Sequence, residues 1–240
     1  PAERAATAVF DQFYAETAAG SQPDTVTFAN RLGEAPLAFS PGEGFQYGTS
    51  ADVLGAIIEV VSGEPLDQFM QETIFDPLGM DDTGFFVPQA KQNRFATLYE
   101  KRDGILSPFP GNHFGPSQYS VRPNFVSGGA GLTGTVDDAM KFGRMLLGDG
   151  ELCGERVLSR YGVDWLRQNH LTQKQMETTT FDSLLGQGYG GLMRVLLKPG
   201  QSFSLGAVGE YGWDGWAGAY LSVCPAEDMV LVMLDRKSVV

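Results

Sequence analysis

The hydrophobic pattern of this chain changes at Gly186, and this change restricts the possible folds more than any other feature. Before Gly186, apolar residues recur mainly at helical spacing; after it, short runs rich in β-branched and aromatic residues alternate with turn residues. Strands are predicted over residues 188–197, 203–209, 216–223 and 228–234. Connections as short as Pro199-Gly200 favour antiparallel pairing. Helices first and antiparallel strands last are typical of an α+β fold rather than a parallel α/β sheet.

Capping residues and apolar periodicity predict the helices of the first part. They are expected over residues 2–19, from Asp24 through Leu32, from Thr49 to Gly63, from Pro65 to Ile74, from Thr135 through Leu147 and around 163–170. The third and the fifth begin with S/T-x-x-D, a variant of the capping box. The third also has an apolar stripe that we expect to face a core, formed by Val53, Leu54, Ile57, Ile58 and Val61. Residues 80–126 show few periodic signals, which is typical of a functional loop or of structure that local patterns do not reveal.

The balance of charges excludes two classes of partner. The chain has 17 Lys+Arg against 29 Asp+Glu, a net charge of -12 and an isoelectric point near 4.5. A nucleic-acid surface needs a basic face, and anionic lipid attracts basic segments. The longest aliphatic run, Met229–Leu234, is far shorter than the ~20 residues that span a bilayer. We therefore predict no nucleic-acid partner and no membrane span.

The motifs give little support for metal or nucleotide chemistry. The chain has 2 histidines, His113 and His170, and contains neither H-E-x-x-H nor C-x-x-C. His113 either lines a pocket or is a solvated loop residue. G-x-G-x-x-G occurs at Gly129 and at Gly186, but neither match lies between a strand and a helix, as a dinucleotide site requires. We predict no metal and no other cofactor.

Tyr47 lies directly before the predicted start of the third helix. The positive end of a helix dipole stabilises negative charge, so a phenolate or a developing anion is electrostatically favourable there. A tyrosine titrates near pH 10 and acts as a base only if neighbouring cations lower its pKa. The alternative is a packing residue with a hydrogen-bonded hydroxyl.

Small and large residues alternate from Tyr211 to Gly218. Glycine in a strand indicates a bulge or a ligand that approaches the backbone closely. Backbone N–H groups in such a segment can form an oxyanion hole. The alternative is a strand whose aromatic residues and glycines pack in a core.

In their order along the chain, four segments resemble the serine β-lactamase-like superfamily, which includes class C β-lactamases, D-alanyl-D-alanine peptidases and related carboxylesterases. Two of them are similar to the family's Tyr-x-Asn segment and its F-x-P-L-G-M stretch: Pro41–Thr49 with Leu54–Glu59, and Ile74–Met80. The other two are similar to the glycine-rich turn with its helix and to the Lys/His/Trp-x-Gly motif: Ser127–Thr133 with Asp137-Asp138, and Gly212–Gly215. The resemblance implies an antiparallel sheet flanked by helices, with a helical subdomain.

The family's first motif, Ser-x-x-Lys, is absent, because no lysine of the chain has Ser or Thr three residues before it. We therefore expect this chain to be the C-terminal part of a longer enzyme, incomplete at its N-terminus, with the missing N-terminal segment as its partner. Residues 1–185 are expected to form a mainly helical region with long active-site loops. Residues 186–240 are expected to supply antiparallel strands of the main sheet. The sequence does not indicate the cellular compartment, because a targeting segment would precede Pro1.

The resemblance also implies roles for the residues that match. The absent serine would form an acyl-enzyme, Tyr47 with the absent lysine would carry its proton, and the Trp216 N–H would be an oxyanion donor. Thr49 stands where the family has a substrate-binding Asn. Trp213, Asp214 and Gly215 occupy the third motif without its cation, so a neutral ester is favoured over a carboxylate-bearing lactam. The alternatives are a β-lactam or D-amino-acid peptide hydrolase and a non-catalytic protein on the same scaffold.

Overall fold

The computed structural model describes residues 8–9, 11–13, 16, 23–109, 119–179, 181–235 and 237–238. The α-helices are α1 (Thr25–Gly33), α2 (Ser50–Ser62), α3 (Leu66–Met70), α4 (Asp76–Leu78), α5 (Val136–Leu147), α6 (Arg160–Leu166) and α7 (Gln173–Thr178). The strands are β1 (Tyr99–Arg102), β2 (Ile105–Pro108), β3 (Glu151–Leu152), β4 (Glu155–Arg156), β5 (Gln187–Tyr189), β6 (Arg194–Leu196), β7 (Tyr211–Asp214), β8 (Ala219–Cys224), β9 (Met229–Leu234) and β10 (Lys237–Ser238). The predicted helix 2–19 falls largely outside the described residues.

The main sheet has five strands in the order β5-β6-β7-β8-β9, each antiparallel to its neighbour. Helix α5 packs on one face of β8 and β9. This arrangement confirms the α+β prediction and the antiparallel pairing. The buried core lies between this sheet, α5 and the α3–α4 region, and consists of Phe75, Leu78, Met80, Met145, Leu146, Val195, Tyr211 and Val223.

Gly143 allows α5 to approach the sheet closely. A Cβ atom built at Gly143 would lie 2.5 Å from Val230 Cγ1 and 3.1 Å from Leu221 Cδ1. Both neighbours are short, branched side chains held in the β8–β9 ladder, so they have little room to move. The missing side chain at this position therefore sets the distance between helix and sheet.

We predict that Gly143→Ala destabilises the fold by about 1–3 kcal/mol, because overpacking outweighs the ~1 kcal/mol that alanine gains in a helix. Urea unfolding measures the change. Gly33→Ala is the matched control, since nothing lies within 4 Å of a Cβ at the end of α1. A stabilised Gly143→Ala variant would contradict this account of the packing.

Antiparallel strands follow Gly186 as predicted, but the predictions for residues 188–197 and 203–209 are wrong. Residues 188–197 form a hairpin rather than one strand, because Gly190 N–H donates to the Met193 carbonyl (2.8 Å) and closes a turn. Residues 203–209 are not a strand. Arg194 pairs directly with Gly212 in the β6–β7 ladder, so residues 197–210 form the connection between these two strands.

Two helix boundaries also differ from the prediction. The helix that begins at Leu66 does not end at Ile74 but continues through a π-helix over Gln71–Phe75 into α4. Pro77 therefore does not stop this helix; it lies at the start of α4, directly after the π-helix. The predicted helix around 163–170 begins earlier, at Arg160, because the Ser159 side chain caps it by accepting from Gly162 N–H at 3.0 Å.

The apolar stripe predicted to bury α2 is largely exposed. Ile57 is 52% exposed and Val61 81% exposed. The buried positions of α2 are instead Asp52, Gly55 and Ala56. Small residues let this face of the helix approach α3 and the loop after Val126 closely. The buried face of α2 is therefore the one with less apolar surface.

Asp138 anchors the segment around residue 82 to α5. Thr135 Oγ1 accepts from the Asp138 N–H at 3.2 Å, as the capping prediction requires. The Asp138 carboxylate, however, accepts from the Asp82 N–H (2.9 Å), Thr83 Oγ1 (3.0 Å) and Lys141 Nζ (3.0 Å). Only half of the predicted capping box is therefore present, because the buried carboxylate finds better partners in a distant loop.

The region 80–126 contains structure that its sequence pattern does not reveal. It has a 3₁₀ helix over Gln89–Arg94 and the β1–β2 hairpin, and β1 pairs in parallel with β10.

The other short helical turns lie at Asp182–Leu184, Pro199–Gln201 and Pro225–Glu227. A separate small sheet consists of β3 and β4.

Candidate active site

The structure places Tyr47 against Trp213, with ring centroids 5.2 Å apart. Tyr47 lies in the irregular segment just before α2, and Trp213 lies on β7, which is held between β6 and β8. The tyrosine before a helix and the aromatic-glycine strand were two separate features of the sequence. Tertiary structure brings them into contact, with Tyr47 46% exposed to solvent.

Further aromatic side chains form the walls of this site. Phe181 stacks on Tyr47 with centroids 4.8 Å apart and planes 5° apart. Tyr189 meets Trp213 edge-on at 5.6 Å, and Phe45 packs on Tyr189 at 4.9 Å. Burial raises the pKa of Tyr189 to about 12, so its hydroxyl is protonated at neutral pH. We call Phe45, Tyr47, Phe181, Tyr189 and Trp213 the aromatic cluster.

No local pattern predicts Phe181 or Tyr189 as a site residue. Phe181 follows α7 with no periodic or motif signal of its own. Tyr189 was treated only as part of a strand. Aromatic contacts of this kind join residues from distant parts of the chain, so a local pattern does not reveal them.

Arg194 supplies a cation beside Trp213. Its Cζ lies 4.9 Å from the centroid of the Trp213 ring, within the range of a cation–π contact. Its Nη1 lies 2.5 Å from Asp214 Oδ1, with the Arg194 side chain 13% exposed and that of Asp214 50% exposed. The motif itself has Trp213 in place of a lysine, and strand pairing brings Arg194, a cation from another strand, next to it. The charge of this cation is nevertheless matched by Asp214.

Gly215 and Trp216 lie in the turn between β7 and β8 rather than in a strand. Gly215 N–H donates to the Ala219 carbonyl at 2.7 Å, and Gly218 N–H donates to the Gly215 carbonyl at 2.9 Å. The Trp216 ring packs on Phe109 at 5.2 Å and is 41% exposed. The strand predicted to begin at Trp216 begins at Ala219, because this turn occupies the residues before it.

Thr49 begins α2 through its backbone. Its carbonyl accepts from the N–H groups of Asp52 (3.0 Å) and Val53 (3.2 Å), while its side chain makes no capping bond. The capping box predicted at Thr49 is therefore wrong. The Asp52 carboxylate instead accepts a hydrogen bond from the Ser127 hydroxyl, so it joins α2 to a loop that is distant in sequence.

The remaining candidate ligands do not converge. Among the described residues, no group of three or more His, Cys, Asp and Glu side chains is arranged to hold a metal ion. His170 packs against the Trp165 ring at 4.3 Å, and its Nε2 lies 2.8 Å from the Trp165 carbonyl oxygen. His113 lies outside the described residues. In the part of the chain that the structure describes, no helix is long and apolar enough to span a membrane.

Comparisons with known proteins agree with this fold. Protein Rv1367c of Mycobacterium tuberculosis (strain ATCC 25618 / H37Rv) is 35% identical over 222 residues, covering 90% of this chain and 54% of that protein. Esterase EstB of Burkholderia gladioli is 40% identical over 124 residues, covering 46% of this chain and 31% of EstB. The structure of EstCE1, a hydrolase with promiscuous acyltransferase activity, matches with a TM-score of 0.77 and 25% identity, covering 90% of this chain and 57% of that one.

The chain spans about half the length of Rv1367c and of EstCE1. A family model described as Beta-lactamase matches residues 5–238. The fold, with its antiparallel sheet and flanking helices, is that of the structural relatives. Because the family model covers nearly the whole sequence, these 240 residues belong to the beta-lactamase family.

Proposed function

We propose that the protein is a serine hydrolase that cleaves neutral carboxylic esters through an acyl-enzyme. The observation that carries this proposal is the aromatic cluster at the family's second and third motifs, beside a cation that Asp214 already neutralises. A neutral, apolar substrate gains contact with the rings and needs no charge partner. The relatives named esterase and hydrolase support the same class of reaction.

The proposed reaction needs the serine of a Ser-x-x-Lys motif, which these 240 residues do not contain, and we assign it to a segment elsewhere in the protein. The serine Oγ attacks the ester carbonyl carbon, and its proton passes through Tyr47 and the lysine to the departing alcohol. The acyl group stays on the serine until water attacks it and releases the carboxylic acid. The Trp216 N–H is our candidate donor to the oxyanion.

Thr49 and Trp213 fit an ester better than a lactam. A Thr hydroxyl is shorter than the Asn side chain of the family pattern and offers one donor, so it is less suited to hold a substrate amide. Trp213 gives an apolar surface at the position where a lysine would attract a carboxylate. Burying apolar substrate surface on such rings is worth roughly 25 cal/mol per Å².

Substrate preference tests the proposal. We expect the whole protein to have a higher kcat/KM for p-nitrophenyl butyrate than for nitrocefin or a D-alanyl-D-alanine peptide, since only the last two carry a carboxylate. Faster processing of either carboxylate substrate would overturn the ester assignment. It would favour the second candidate, a β-lactam or D-amino-acid peptide hydrolase, for which Arg194 would be the carboxylate partner.

The Asp214→Asn variant tests the role of the Arg194 charge directly, because it removes the carboxylate that pairs with Arg194. We expect the ratio of the nitrocefin to the butyrate kcat/KM to rise about tenfold, equivalent to ~1.4 kcal/mol. The matched control is Asp164→Asn, which removes a carboxylate from another Asp–Arg pair, with Arg167. An unchanged ratio in Asp214→Asn would mean that the charge of Arg194 does not reach the substrate.

A further inference from the structure

A buried carboxylate and a buried hydroxyl connect α2 to the loop that follows Val126. Asp52 is 7% exposed and Ser127 6% exposed, and the Ser127 hydroxyl donates to Asp52 Oδ1. The two residues are 75 positions apart in the chain. A buried carboxylate is costly to retain unless it is fully hydrogen-bonded, and the proposed chemistry gives Asp52 no direct role.

The Asp52 carboxylate accepts hydrogen bonds from the loop that follows Val126. Burial raises the pKa of Asp52, while the Ser127 hydroxyl and the N–H groups of Gly129 and Gly128 oppose the shift by bonding to the carboxylate. Gly129 N–H also donates to Ser127 Oγ at 3.1 Å. One side chain of α2 therefore holds the consecutive residues 127–129.

The contact between this loop and α2 leaves no room for a side chain at Gly128 and places Gly129 in van der Waals contact with the helix. A Cβ at Gly128 would lie 2.1 Å from the Ala51 carbonyl oxygen, and one at Gly129 would lie 3.5 Å from the Ala51 Cβ. The loop backbone thus rests directly on the first turn of α2. That turn continues from Thr49, whose carbonyl accepts the Asp52 N–H, and Tyr47 lies two residues before it.

We propose that Asp52 is a positioning residue for Tyr47: its bonds to Ser127 and the glycine loop fix the first turn of α2, and thereby the placement of the tyrosine. This inference rests on the proposed function, because it assigns Tyr47 to proton transfer. Asp52 lies in the same helical turn as Thr49 and does not itself contact the aromatic cluster in the described structure. Its effect on the reaction passes through the backbone from residue 52 to residue 47.

The experiment compares Asp52→Asn and Ser127→Ala in the whole protein. Asn keeps the shape of Asp but replaces one acceptor oxygen with a donor, so it cannot accept all of the bonds made by the loop. Misplacing a reacting group by about 1 Å can cost 10²-fold in rate. We expect kcat for p-nitrophenyl butyrate to fall at least tenfold in each variant, while KM changes less than threefold. The double variant should lose little more than either single variant, because both break the same link.

Thr25→Val is the matched control. Thr25 is fully buried and bonds to both the N–H (3.0 Å) and the carbonyl (3.1 Å) of Val126, so it holds the same loop from α1. This variant should lower the urea midpoint but keep kcat within threefold of the parent. If Asp52→Asn and Ser127→Ala also keep kcat within threefold, the pair is structural only and the inference is overturned.

Hydrogen exchange separates this inference from the proposed function. We expect the Gly128 and Gly129 amides to exchange at least tenfold faster in Asp52→Asn, with smaller changes in the β8–β9 ladder. Unchanged exchange at both glycines would overturn the inference whatever the kinetics. If the parent hydrolyses no ester, the proposed function fails, and exchange alone then decides whether Asp52 holds the loop.

Discussion

The 240-residue chain, assayed alone, is expected to give neither a burst nor steady hydrolysis of p-nitrophenyl acetate, whereas the whole protein gives both. The chain contains no Ser-x-x-Lys, and removal of a serine nucleophile costs on the order of 10⁶ in kcat in a serine protease. The chain also exposes apolar side chains on α2 and on β9, including Ile57, Val61, Leu231 and Met233. We expect the nucleophile-bearing part of the protein to cover some of this surface.

Adding the Ser-x-x-Lys segment as a second chain provides the positive arm of this experiment. A restored burst, with one acyl group per pair of chains detected by mass spectrometry, would support the assignment. A boiled sample of the same chain is the blank. Steady turnover by the pure 240-residue chain above that blank would refute the prediction, and the nucleophile would then have to be sought among its own residues.

Tyr47→Phe in the whole protein is expected to lower kcat by roughly 10²–10⁴-fold, the usual contribution of a general acid–base group. Phe keeps the ring that stacks on Phe181 and meets Trp213, so packing and stability should change little. The loss should therefore appear in kcat rather than in KM or in the urea midpoint. Steady-state kinetics with p-nitrophenyl butyrate measure it.

Tyr211→Phe is the control for loss of a tyrosine hydroxyl. Tyr211 is 1% exposed, and its hydroxyl donates to the Leu146 carbonyl at 3.3 Å. Its removal should cost about 1 kcal/mol of stability while leaving kcat within threefold of the parent. A change below threefold in Tyr47→Phe would assign Tyr47 to packing within the aromatic cluster.

Local patterns in the sequence determined the element types and the order of the motifs. Caps at Asp24 and Thr135 and the left-handed glycine at Gly63 mark helix ends that the structure reproduces. These features depend on residues within one helical turn of each other, so they can be read without knowing the fold. The same holds for the β8–β9 pair after Gly186, where a short connection favours antiparallel pairing.

Tertiary structure alone decided which surfaces and partners these elements use. The apolar stripe of α2 predicted a buried face, but the close approach of Gly55 and Gly128 buried the opposite one. Asp52 matched a capping pattern, yet it bonds to Ser127, 75 residues away. Phe181 and Arg194 join Tyr47 and Trp213 only through packing and strand register. Periodicity indicates which face of a helix or strand can be buried. The segment that packs against this face is determined by contacts between parts of the chain that are far apart in sequence.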